Sequence, residues 1–156
     1  MTRHDLTNRD KQYLRALFLM SSHQEPVGPA KIARTMGVSR TGALKKLRRL
    51  EFLGYGDYVD NKGLLLNSRG VDVVQKDTLK HHLMEKFLET SLDMDPEEAC
   101  HESSALDPLI STRLMERVND KYGEELSCDC GCCIEPYYEP ETLVECHWYQ
   151  RMFKMQ

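Results

Sequence analysis

Apolar side chains recur three and four positions apart through the first third of the chain, and that spacing predicts helices. From Thr7, an expected N-cap, Tyr13, Leu14, Leu17 and Phe18 mark a first helix that stops at the polar "SSHQEP". A second, shorter helix is expected from about Pro29, with Ile32, Ala33 and Met36 inward and Gly37 ending it in a left-handed turn. Ser39 caps a third, "SRTGALKKLRRLEFLG", in which Leu44, Leu47 and Leu50 form the packing face while Thr41, Lys45 and Arg49 project from the other side. Then "YGDYV" and "LLLN" flank "DNKG", a turn suited to a β-hairpin. Alone, the third segment reads equally as a solvated basic helix. A hairpin directly after it argues for a wing, so the pattern is that of a winged helix-turn-helix.

Charge sharpens this picture. Residues 1–70 hold thirteen Lys and Arg against six Asp and Glu, whereas residues 71–156 hold eight against nineteen. The basic half suggests a polyanionic partner, duplex DNA; the acidic half would repel it and suits assembly or ligand binding. The leading "MTRHDLTNRDKQ" is too polar for a signal peptide and no apolar run approaches a membrane span, so a cytoplasmic protein with no membrane partner is expected. In a reducing compartment, six cysteines point to metal, catalysis or redox sensing rather than to disulfides.

The order of elements, with "YLRALFLM", "KIARTMGVSRTGALKKLRRLEFLGY", "LLLNSRG", "KHHLMEKFLETSLDMDPEEAC" and "STRLMERV", resembles the diphtheria-toxin-repressor family of metal-dependent transcription regulators over about residues 6–122. The resemblance implies a mainly α fold with a small β-hairpin: a winged-helix DNA-binding domain (1–70), then a helical dimerisation and sensing domain (71–123). It implies a homodimer reading a palindromic operator. Val74, Leu79, Leu83, Phe87 and Leu92 are more apolar surface than a small helical subdomain buries alone, which agrees with a dimer interface. Ser39, Thr41 and Lys45 correspond to the family's base-reading positions, and Arg40 and Arg49 to phosphate contacts. Tyr58, Asn61 and Lys62 near the wing tip suit phosphates too, although surface exposure alone accounts for those residue types.

The family's principal metal ligands fall at Gln12, Ser104, Asp107 and Pro108, of which only Asp107 is a conventional donor. Its second site falls at His81, Glu85 and Cys100. His81 and Glu85, four apart, share a helical face, and imidazole, carboxylate and thiolate together suit zinc or iron. A solvated His/Glu pair beside an inert buried Cys is the competing reading. His82 and His101 read as ordinary surface or interface residues.

Beyond Gly123 the resemblance ends, and a cysteine-rich tail (124–156) follows. Cys130 and Cys133 have C-x-x-C spacing, Cys128 and Cys132 add thiols, and Cys146 and His147 return thirteen residues later, before or within a last helix expected at about 141–153. These donors would hold a sensory metal ion or iron–sulfur cluster, zinc or iron above others. A purely structural zinc clip and a metal-free thiol switch remain open beside it. No Gly-rich phosphate loop or partnered Ser/His/Asp appears, and the C-x-x-C does not open a helix in a βαβ unit, so an enzyme such as a thiol oxidoreductase is not expected. A metallochaperone would leave the basic third helix unexplained.

Overall fold

The computed structural model describes residues 5–21, 24–125 and 138–153. Cys128, Cys130, Cys132 and Cys133 therefore lie outside the described residues. The chain divides into two compact units, Met1–Val74 and Gln75–Gln156, and the division falls inside one long helix.

In the first unit, α1 (Asn8–Met20), α2 (Pro29–Met36) and α3 (Arg40–Phe52) precede strands β1 (Gly56–Val59) and β2 (Gly63–Leu66). Local chemistry sets the helix ends. Thr7 accepts from the Asp10 amide while the Asp10 carboxylate accepts from the Thr7 amide, a complete capping box. Pro29 opens α2, Gly37 closes it at φ +65°, and the Ser39 hydroxyl accepts from Gly42 to start α3. The strands pair antiparallel with Tyr58 opposite Leu64. Val27 and Leu64 exchange both backbone hydrogen bonds, at 2.9 and 3.1 Å, which lays the chain before α2 against the wing. Gly63 is required there: its φ is +126° and a Cβ would stand 2.1 Å from the Val27 carbonyl oxygen.

Leu14, Leu17, Ile32, Leu47, Leu50 and Leu64 are essentially inaccessible and form the core between the three helices and the wing. Two inward expectations change. Met36 is only half-buried, and Leu44 is 39 % exposed, its place on the packing face taken by Ala43.

A buried carboxylate fixes α3 on α1. Asp10 is fully buried and accepts from Lys46 Nζ at 2.8 Å and Arg49 Nε at 3.1 Å. Burial pushes its carboxyl up, but hydrogen bonds from Lys46, Thr7 and Arg49 outweigh that and hold it at about 2, below the usual 3.8. A carboxyl depressed in the folded state contributes stability that is full above its ordinary value and is lost as pH falls toward 2. Asp10→Asn is therefore expected to destabilise the protein by roughly 2 kcal/mol at neutral pH, with the gap to wild type closing between about pH 4 and pH 2. Denaturant unfolding across pH checks this.

The second unit is built on α4 (Ser68–Leu92), whose later turns lie in it, with α5 (Pro96–Leu106), a 3-10 turn at Asp107–Leu109, α6 (Thr112–Tyr122), α7 (Pro140–Leu143) and α8 (His147–Phe153). Asp95 and Ser111 cap α5 and α6. Leu83 and Met84 pack with Val118 and Tyr122 of α6, flanked by Leu79 and Phe87. The tail supplies a further core: Tyr138, Leu143, Cys146, Trp148, Tyr149 and Phe153 are all buried. Gln75 holds it in place, donating to the Tyr138 carbonyl at 2.8 Å and accepting from its amide at 2.7 Å, and Thr78 shares a 2.7 Å bond with Tyr149. The single last helix expected from the sequence is instead two short ones, because turn hydrogen bonds at Glu145 and Cys146 interrupt it. Leu92, Leu109 and Leu114 remain exposed. Among the described residues, no helix is long and apolar enough to cross a membrane.

Candidate metal centre and nucleic-acid interface

One group of donors in the described residues fits an ion. His81 and Glu85, one turn apart on α4, and Cys100 of α5 are all buried, with ligand atoms within 4.8 Å of one another. His81 Nε2 lies 3.2 Å from Glu85 Oε1 and 3.5 Å from Cys100 Sγ. Tetrahedral zinc, with Zn–N of about 2.05 Å and Zn–S of about 2.3 Å, requires donor separations of about 3.3 and 3.6 Å, so the spacing matches.

His81 is oriented from its other nitrogen. Asp107 Oδ2 sits 2.8 Å from Nδ1 and accepts its proton, which leaves the Nε2 lone pair directed at Glu85 and Cys100. Glu85 is pushed up by burial but held below the usual carboxylate range by His81, with smaller help from His82 and Cys100. Burial, and then the neighbouring Glu85 carboxylate, push the Cys100 thiol well up. Cys100 is therefore a thiol donating to Glu85 until a metal replaces its proton.

Trp148 of α8 covers His81, its ring stacked at 3.9 Å and 4° from parallel. The Asp107 position carried over as the principal-site donor thus serves this second site instead. Ser104, another of those positions, turns its hydroxyl to the Cys100 carbonyl, Gln12 accepts from Arg9, and Pro108 is exposed. Asp107→Ala is expected to weaken zinc binding by about 10- to 100-fold, the usual loss when a ligand's hydrogen-bonded support is removed; competition against a chromophoric chelator would measure it.

The two described tail donors are placed apart. Cys146 and His147 do not share an environment: His147 is exposed, whereas Cys146 is buried with Sγ 3.6 Å from His82 Nε2. His82, read as a surface or interface residue, is 2 % exposed. Its role was hidden because its partner lies 64 residues away in sequence.

On α3 the exposed line is Arg40, Thr41, Leu44, Lys45 and Arg48. Two steps of four residues turn about 800°, which is about 80° past the starting direction, so Arg49 comes round to α1 and Arg48 takes the outward line. Arg49 is bound to Asp10 and the Asp5 carbonyl. Sequence reasoning missed Arg48, which lies 3.7 Å over the Tyr58 ring and pairs with Glu51, joining helix to wing. Tyr58 is correspondingly half-buried, Lys62 is exposed in the hairpin turn, and Ser39 uses its hydroxyl as a cap.

Residues 5–64 match the family model described as iron dependent repressor, N-terminal DNA binding domain, and residues 68–136 match its metal binding and dimerisation domain. An uncharacterized HTH-type transcriptional regulator of Methanocaldococcus jannaschii, MJ0568, is 24 % identical over 109 residues, covering 69 % of this chain and 87 % of its own. The HTH-type transcriptional regulator MntR of Bacillus subtilis is 22 % identical over 117 residues, covering 74 % and 82 %. A crystal structure of ScaR with bound zinc superposes with a TM-score of 0.70 at 25 % identity over 80 % of this chain, which spans 58 % of the ScaR chain. The hypothetical protein SSo2273 from Sulfolobus solfataricus shares the fold at a TM-score of 0.71 and 20 % identity, covering 81 % of this chain and 96 % of its own.

Proposed function

Because the chain belongs to the iron dependent repressor family of metal-dependent, DNA-binding transcription regulators, we propose that it acts as a homodimeric repressor whose hold on a palindromic operator depends on a divalent ion bound by His81, Glu85 and Cys100. The buried donor triad, with His81 Nε2 3.2 Å from Glu85 and 3.5 Å from Cys100, carries this reading. His81 and Glu85 of α4 and Cys100 of α5 would hold the ion, and its positive charge would tie the two helices together. Around it, Asp107 orients His81 and Trp148 shields the imidazole from water. A thiolate favours zinc or iron over manganese, which prefers oxygen donors; the related ScaR has been crystallised with Zn2+ and with Cd2+ although it is a manganese-activated repressor, so the preference here rests on Cys100 and not on the relatives.

In the DNA-bound dimer, Thr41 and Lys45 meet base edges, with Leu44 against thymine methyl groups, while Arg40 and Lys62 hold phosphate. Arg48 supports the wing through Tyr58, and Ser39 and Arg49 set the start and tilt of α3. Leu92, Leu109 and Leu114 supply exposed apolar surface for the second protomer. Cys128, Cys130, Cys132 and Cys133 enter the same proposal as a further thiol-rich set whose C-x-x-C spacing suits zinc.

The test is selection from a randomised duplex pool with zinc present. Enrichment of a two-fold symmetric sequence that chelator releases from the protein supports the proposal; equal retention in zinc and in chelator refutes it.

A further inference from the structure

His82 repeats on the tail side what His81 does on the α5 side. Its Nε2 lies 3.6 Å from Cys146 Sγ, the separation found between His81 and Cys100 to within 0.1 Å. The same Nε2 is 3.9 Å from Glu85 Oε2, whereas Oε1 faces His81. Each oxygen of one carboxylate thus faces a different imidazole, and each imidazole faces a different thiol. Tyr138 completes the parallel: its hydroxyl is 3.2 Å from His82 Nδ1 and can accept that proton, as Asp107 does for His81, which directs the Nε2 lone pair at Cys146 and Glu85.

We infer that His82, Cys146 and Glu85 Oε2 form a second site for a thiophilic divalent ion such as zinc, joined through Glu85 to the His81–Cys100 site. The histidine–thiol separation matches the tetrahedral zinc edge of about 3.6 Å, and the Glu85 carboxylate must turn toward the ion, closing its 3.9 Å separation from His82 by about 0.6 Å. His82, Glu85 and Cys146 are all buried, so the donors are already withdrawn from water. Burial of a titratable pair with no core-filling advantage over apolar residues is costly, and a shared cation offsets that cost. Cys146 precedes α8 and Tyr138 precedes α7, so an ion here fastens the tail to α4. The proposal rests on the preceding metal-centre reading only through the sharing of Glu85.

Zinc content of the full-length chain, freed of unbound ion, tests it. Cys146→Ser should hold one zinc fewer per chain than wild type, Cys100→Ser one fewer, and the double variant two fewer; differences cancel any zinc on residues 128–133. His82→Gln should repeat Cys146→Ser, which a site built from Cys146 and the 128–133 thiols alone does not require. Thermal melts of the zinc-free variants identify any that fail to fold, and His82→Gln and Cys146→Ser stand in for each other. Wild-type zinc content in Cys146→Ser or in His82→Gln overturns the proposal. So does loss of the same single ion in Cys100→Ser, Cys146→Ser and the double variant, which means one shared ion. An unchanged Cys100→Ser with one zinc lost from Cys146→Ser sinks the His81–Cys100 site and keeps this one.

Discussion

Glu85→Gln, which preserves side-chain volume but removes the charge both histidines face, is expected to lower zinc affinity by about 100-fold or more. Loss of a ligand's hydrogen-bonded support alone costs about 10- to 100-fold, and a direct ligand should exceed that. The dependence of DNA binding on zinc should vanish with it. A coupling of about 1–3 kcal/mol corresponds to an affinity change of about 5- to 150-fold, so at zinc concentrations that just saturate wild type the variant should bind DNA with the metal-free affinity. Uptake by wild type should also release a proton, since Cys100 is held as a thiol and must lose its proton to bind the ion, and it should weaken as pH falls. Calorimetry in buffers of different ionisation enthalpy measures that release.

The second large effect is on DNA. Arg40→Ala should weaken binding to all duplexes and reduce the salt slope by about one, as expected when one phosphate contact is lost. Lys45→Ala should instead cost about 1–3 kcal/mol on the selected operator and less on random duplex, because a base contact discriminates. Arg49→Ala belongs to a different class. Its guanidinium is held by Asp10, so its loss should lower stability as well as DNA affinity, with no selective change in base preference. Competition binding at several salt concentrations, beside unfolding curves, separates the three.

Much of the first unit was legible because its signals are local. Thr7, Pro29, Gly37 and Ser39 act within a turn of where they stand, and the hairpin announces itself by its polar turn. The differences there came from fixed steps along α3, threes for Leu44 and fours for Arg49, which drift from the helical repeat and passed over Arg48. In the second unit, the i, i+4 spacing of His81 and Glu85 was visible, and the resemblance supplied Cys100. Asp107 stands at a ligand position of the family's principal site, and its 2.8 Å contact with His81 was not legible because residue type alone does not tell a ligand from a ligand's hydrogen-bond partner. The His82–Cys146 and Gln75–Tyr138 pairings span 64 and 63 residues, and no periodicity reports them. The described part of the tail, read only for its cysteines and one last helix, owes its core to aromatics that become meaningful only against α4.

The claim at the centre is that occupancy of the His81–Glu85–Cys100 site sets DNA affinity. It is tested most directly by titrating zinc into wild type and Glu85→Gln while following the binding of one selected duplex. An affinity rise of about 5- to 150-fold is expected in wild type, and no rise in the variant over the zinc range that saturates wild type. Parallel rises in the two proteins, or a flat line in both with zinc demonstrably bound to wild type, would contradict it.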